Sequence, residues 1–323
     1  MQPAHTKKAI HTLNKQLFTL QLMYKSILLA GIICLSAFAS KAQLYESNVR
    51  QGEFGLAIGA GHYFGDLNTR ASLNRPKFSA GAFYIKQFNN YIGLKIAANY
   101  ARLGYSDIYS KNETQHRRNL SFNSNIWEFS ASGQFNFFHF MPGVDGYNFT
   151  PYVSLGIGIF SYDPYAYLGG NKYYLRPLGT EGQGSSLYPD RKQYGTIAGC
   201  FPLSVGLKYA LTEGTNIFAE VGYRFTTTDY LDDVSTTFVG EEPFVYPSSD
   251  PAVPPSVIGP DGQVNPAYLL SDRSYETGTR IGIKGRQRGN SQQKDAYVLA
   301  QVGVSFNITS YRCPTASGKS VKF

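Results

Sequence analysis

The chain has 323 residues, of which 42% are hydrophobic, 15% aromatic and only 16% charged, with 25 Tyr, 22 Phe and 33 Gly. That length holds one sizeable domain or two small ones, and the Tyr, Phe and Gly excess suits strands with one face in lipid, although a soluble β-sandwich shares it. The formal charge of +8 would suit a nucleic-acid partner, but Lys7, Lys8, Lys15, Lys25 and Lys41 lie before residue 43 and no acid does, so the remainder carries only +3 and that partner is not expected.

The first 22 residues are polar and basic and read as an over-long start, with the true start at Met23. Met23-Tyr24-Lys25 then gives a basic n-region, residues 26–38 an apolar h-region, and Ser40 and Ala42 small residues ahead of a cut before Gln43. This is the pattern of a secretory signal peptide over 23–42. The apolar run is too short for a membrane helix, which needs about 20 residues. Cys34 follows Ile33 instead of a small residue, which weakens a lipoprotein reading.

From residue 53 onward apolar and polar or small residues alternate, the period of a strand with two unlike faces. Eight runs follow: 53–63, 77–88, 91–103, 125–140, 149–160, 197–210, 215–226 and 295–309. In the third, Ile92, Leu94, Ile96, Ala98 and Tyr100 oppose Gly93, Lys95, Ala97 and Asn99; in the fourth, Trp127, Phe129, Ala131, Phe135 and Phe137 oppose Glu128, Ser130, Ser132, Gln134 and Asn136. The last sets Val298, Ala300, Val302, Val304, Phe306 and Ile308 against Leu299, Gln301, Gly303, Ser305 and Asn307. Long and short connections alternate, as in a bacterial outer-membrane barrel with short periplasmic turns and long extracellular loops. The expected fold is all-β, an eight-stranded antiparallel transmembrane barrel over 43–309 with a periplasmic tail over 310–323. Segments 64–76, 104–124, 161–196 and 227–294 face outward, and the Pro-rich last one reads as an irregular, partly mobile loop. Cys200 and Cys313 fall at opposite ends of such a barrel, so no disulfide is expected.

Eight strands leave room only for side chains, so the lumen should be plugged. The inward set includes Lys95, Glu128, Gln134, Lys208, Glu220 and Arg224, whose opposite charges should pair because an unpaired buried charge is costly. A gated small conductance is the competing reading.

Chemistry is sparse. His62, His116 and His139 are the histidines after residue 43. His62 and Asp66 lie near the outer end of the first strand, where a rim protease or lipase would keep an acid/base pair, but no nucleophile can be placed beside them, and no enzyme, cofactor, metal site or small-molecule substrate is expected. His139 reads as an aromatic-belt residue at the periplasmic end. Asp229, Asp232 and Asp233 form an acidic cluster without the Gly-containing spacing of a calcium loop. It is read as solvated or paired within the loop, with Arg286 and Arg288 as partners. His116-Arg117-Arg118 is a basic patch that either contacts lipid phosphates or is simply solvated.

The run Glu220-Val221-Gly222-Tyr223-Arg224-Phe225-Thr226-Thr227-Thr228-Asp229-Tyr230-Leu231-Asp232-Asp233-Val234-Ser235 goes beyond barrel patterning. So do Arg288-Gly289-Asn290 with Asp295-Ala296-Tyr297, and Tyr63-Phe64-Gly65-Asp66-Leu67-Asn68. These stretches resemble the PorG-type outer-membrane barrels of the type IX secretion system of Bacteroidota and their close relatives of unknown function. The resemblance implies a non-enzymatic barrel anchoring a periplasmic ring of partner subunits to the outer membrane. The dock would then be the short turns, residues 44–51, or the tail with Arg312, Lys319, Lys322 and Phe323. A stand-alone structural or adhesive barrel acting through its outer loops is the alternative.

Overall fold

A computed structural model describes residues 48–69, 71–248 and 254–311. The expected over-long start, the signal peptide and the tail residues Arg312, Cys313, Lys319, Lys322 and Phe323 lie outside these residues.

Among the described residues ten strands form in chain order: β1 (Asn48–Phe64), β2 (Lys77–Gln87), β3 (Ile92–Ser106), β4 (Ser121–Asn136), β5 (Phe149–Ser161), β6 (Tyr165–Leu168), β7 (Asn171–Tyr174), β8 (Ile197–Ala210), β9 (Thr215–Thr226) and β10 (Ala296–Tyr311). Eight of them pair antiparallel in the order β3-β2-β1-β10-β9-β8-β5-β4, and the β3–β4 pairing closes the sheet into the eight-stranded barrel that the alternation predicts. The strands β6 and β7 were not expected. They form a hairpin inside the third outer loop, joined to β4 by one bridge from Tyr165 to Asn123.

Strict alternation sets the two faces. On β4, Trp127, Phe129 and Phe135 point out while Ile126, Glu128, Ser130, Ser132 and Gln134 point in and are buried. The outer face is apolar on every barrel strand: Trp127 is 65% exposed and Ile157 66%, among neighbours such as Phe54, Leu155, Val205, Val221 and Val302. A continuous apolar belt of this extent far exceeds the few hundred Å² that soluble monomers leave bare. A closed barrel is also the β-structure whose backbone groups all pair within it, as the bilayer requires. The protein is a multi-pass barrel of the bacterial outer membrane.

Two departures have local causes. The β5–β8 ladder runs from Phe149↔Tyr209 to Leu155↔Leu203, then resumes at Gly158↔Cys200. The lapse falls at Pro202, which has no N–H to donate. At the outer end β3 and β4 run beyond their expected bounds, leaving only 107–120 as the second outer loop, while β4 stops at Asn136 instead of residue 140 and lengthens the turn side to 137–148. The contrast in connection length is therefore weaker there than the sequence suggests, because the added residues continue the β3–β4 ladder out to Ser106↔Ser121.

Candidate functional site

The barrel interior is built from three charge layers. Nearest the short turns, Lys208 Nζ lies 2.6 Å from Glu53 Oε2, and Ser305 Oγ donates to the other carboxylate oxygen at 2.5 Å. Midway, Lys95 Nζ lies 2.6 Å from Glu220 Oε2, which also accepts from Tyr152 at 2.9 Å. Above it Arg224 Nε lies 3.1 Å from Glu128 Oε2, and Tyr297, Asn99 and Ser130 donate to the same carboxylate. Each charge thus meets an opposite charge, and each carboxylate accepts further hydrogen bonds, the condition under which buried ions persist. Between the layers, Phe83 and Phe218 meet edge-on with ring centres 5.1 Å apart. A cavity of about 20 Å³ remains among Lys95, Asn99, Glu220, Arg224 and Gln301, room for about one water.

Every member of the expected lumen set, Lys95, Glu128, Lys208, Glu220 and Arg224, lies inside the barrel. Glu53 was missed, although the opposite phase of Phe54 on β1 would have placed it inward.

Over the outer mouth the loops form a second polar layer, resting on an apolar plug that includes Leu103, Phe122, Ile126, Phe160 and Leu299. Arg118, at the end of the helix Glu113–Arg118, makes two hydrogen bonds to Asp107 at 2.7 and 2.8 Å and donates to the carbonyls of Arg288 and Asp66. Arg288 meets Glu181 at 2.9 Å and donates to the Asp233 and Ser271 carbonyls. Glu181 in turn accepts the backbone N–H groups of Ser235 and Thr236. Asp233 accepts from Thr180 and Tyr194, and lies 3.8 Å from Arg288. Tyr63 Oη lies 2.5 Å from Asp232 and 3.0 Å from Asp295.

Carboxylates outnumber cations in this cap, and burial raises their proton affinity. Burial, then the neighbouring Asp295, pushes Asp232 well above the usual carboxylate range; Asp295 is raised in the same way, by burial and then Asp229. Burial pushes Asp229 and Asp233 up to about 6. One Tyr63 hydroxyl has a single proton for two carboxyls, so the raised affinities of Asp232 and Asp295 fit a proton shared across the trio.

The cap revises several expectations. Asp229, Asp232 and Asp233 are buried, not solvated. Of the two arginines expected beside them, Arg288 reaches Asp233, whereas Arg286 donates instead to the Ile281 carbonyl. Of the basic patch, Arg118 is buried and locked on Asp107 and Arg117 donates to the Thr279 carbonyl, while His116 is exposed. The described part of the last loop is largely irregular, as expected, but it is packed, with Val239, Phe244 and Ala267 buried together. Its helix Pro266–Ser271 starts on the proline, whose fixed φ suits that position, and is capped by Asn265. His62 and Asp66 do not pair; His62 Nε2 lies 2.6 Å from the Ser72 carbonyl and Asp66 accepts the Asn290 N–H. His139 sits at the turn end between Tyr91 and Tyr147, 2.7 Å from Asn90 Nδ2. Cys200 is buried and free. Among the described residues no group of three or more His, Cys, Asp or Glu side chains is placed to hold a metal ion.

No curated protein matches the chain in sequence. Among solved structures it is similar to Neisserial surface protein A, with 11% identity and a TM-score of 0.38 over 81% of this chain and 100% of that one. It is also similar to Ail, the attachment invasion locus protein of Yersinia pestis, with 10% identity and a TM-score of 0.33 over 80% and 99%. The outer membrane protein OprG of Pseudomonas aeruginosa gives 10% and 0.33 over 80% and 97%. A family model described as a domain of unknown function (DUF6089) matches residues 26–238, most of the chain, and the protein belongs to that family.

Proposed function

We propose that this barrel is a non-enzymatic anchor of a type IX protein secretion system, holding a periplasmic ring of partner proteins to the outer membrane. The observation that carries the reading is the convergence of the three stretches resembling PorG-type barrels. Tyr63 and Asp66 from the first, Asp229, Asp232 and Asp233 from the second, and Arg288 and Asp295 from the third all meet in the outer cap. Residues far apart in sequence are thus constrained together, which supports a likeness of built structure over a chance match of strand patterns.

A filled lumen directs the function to the rims. On the turn side, β1 and β10 stay paired from Gly52↔Ile308 down to Asn48↔Tyr311, whereas β2 stops at Lys86 opposite Gly52 and β9 at Thr215 opposite Phe306. The two-stranded ribbon extends past its neighbours by about 13 Å at 3.3 Å per residue, leaving strand edges that another chain could extend. The tail with Arg312, Lys319, Lys322 and Phe323, which follows β10 in the sequence, is proposed as part of the dock.

Affinity purification of the full chain from native outer membranes, followed by mass spectrometry, tests the proposal. Ring subunits are expected to co-purify, and to be lost when residues 312–323 are deleted while the barrel still migrates as a folded species on unheated gels. A wild-type preparation free of secretion subunits would sink the anchor and leave the stand-alone barrel.

A further inference from the structure

The outer wall of β3 and β4 carries a group of cations that neither the lumen nor the cap uses. From Ile92 to Arg102 the outward side chains of β3 rise about 25 Å along the membrane normal, taking 3.3 Å per residue and a tilt of about 40°. That is the height of the apolar band, so exposed Arg102 stands at its outer edge. The change of side-chain type agrees: Ile92, Leu94 and Ile96 give way to Tyr100 and Arg102 on β3, and Phe129 and Trp127 to Asn125 and Asn123 on β4.

The site has ordered walls. Arg102 Nε donates to Tyr100 Oη at 3.2 Å, Tyr100 donates to Asn125, and the Tyr100 ring packs 4.9 Å from Trp127. Lys77 Nζ donates to Asn123 Oδ1 at 2.5 Å, passing over Gly104, where any side chain would collide with it. The β6–β7 hairpin adds Lys172, whose Nζ sits 3.9 Å from the centre of the Tyr165 ring and 4.4 Å from that of Tyr174. Arg102 and Lys172 both lie within electrostatic reach of the Tyr165 and Tyr167 hydroxyls. The hairpin is held from the loop side by Arg273, which donates to the Tyr167 carbonyl and pairs with Glu276. Asp163 is the carboxylate near Lys172, and it also faces Arg176. Among the described residues Lys77, Arg102 and Lys172 form no ion pair of their own.

We propose that this wall binds the phosphate of a phosphorylated glycolipid in the outer leaflet, with Arg102 and Lys172 as its ligands and Lys77 adding charge. Arg and Lys are the side chains suited to phosphate oxygens, and this height is where the lipid presents them. The exposed rings of Trp127, Tyr167 and Tyr174 give flat, amphipathic faces for the sugar, as aromatic residues do at membrane interfaces. The hairpin thereby gains a role: it carries Lys172 to the barrel wall opposite Arg102.

The test is native mass spectrometry of the full chain released from detergent with added diphosphorylated lipid A, the same lipid with its phosphates removed, or phosphatidylglycerol. Wild type is expected to retain the phosphorylated glycolipid at least about tenfold more strongly than either other lipid, and Arg102→Gln with Lys172→Gln to lose that preference. Lys284→Gln, which breaks an exposed pair with Glu242 in the last loop, is expected to leave it unchanged. Equal retention of the dephosphorylated lipid by wild type would overturn the phosphate site, and equal retention of phosphatidylglycerol the glycolipid assignment. Because those comparisons need no variant, a double variant that failed to fold would not protect the proposal.

Discussion

Lys95 shows how a single lumen residue couples wall to wall. Its ammonium meets Glu220 across the barrel, and Glu220 also accepts the Tyr152 hydroxyl. Replacing Lys95 with Met leaves a buried carboxylate without its counter-charge, which costs about 3–5 kcal/mol, whereas Lys95→Met with Glu220→Gln should recover most of that loss. Urea titration in detergent micelles measures both; equal losses in the single and double variants would show that packing, not charge, sets the cost. The inward placement of these residues was legible in sequence, because Lys95 alternates with Leu94 and Ile96 and Glu128 with Trp127 and Phe129. Which Lys meets which Glu was not, since the partners lie 125, 155 and 96 residues apart and depend on how the strands stagger around the barrel.

The outer loops form an element in their own right, one that alternation could not reveal. Arg118 closes its own loop on Asp107 and reaches the Asp66 and Arg288 carbonyls, and Arg288 on Glu181 joins the last loop to the third; these segments lack strand periodicity, so no spacing pointed to Glu181 or to the inward turn of Arg118. This cap should respond to pH. Asp229 and Asp233 hold their protons up to about 6 in the folded cap, against an ordinary value of 3.8. The folded state therefore binds more protons between those values, and its stability is full below about pH 4 and falls as pH rises through about 6. Arg288 opposes the change at Asp233, and Lys294 at Asp229. Hydrogen exchange of amides 229–236, corrected for intrinsic rate, should be at least about tenfold faster at pH 7.5 than at pH 4. Asp233→Asn, which stays neutral, should reduce the pH dependence, and Asp229→Asn with Asp233→Asn should flatten it; a cap equally protected at both pH values would remove the titration.

At the scale of the molecule, the seals lie in series along one axis. The layers Lys208–Glu53, Lys95–Glu220 and Arg224–Glu128 fill the membrane-spanning lumen, Leu103, Phe122, Phe160 and Leu299 close it above, and the Arg118 and Arg288 network covers the mouth. An ion crossing the barrel would have to break every layer, and opening one leaves the others intact. Wild-type protein in planar bilayers should therefore show no stable openings, and neither should Lys95→Met with Glu220→Gln, although that variant removes the middle layer. Stable openings in wild type would establish the gated conductance and defeat the sealed barrel. Openings confined to the double variant would instead locate the whole barrier in one pair, against the stacking of independent seals. With the lumen filled by these layers, the surfaces that remain open to partners are the turn-side ribbon, the outer cap and the lipid-facing wall.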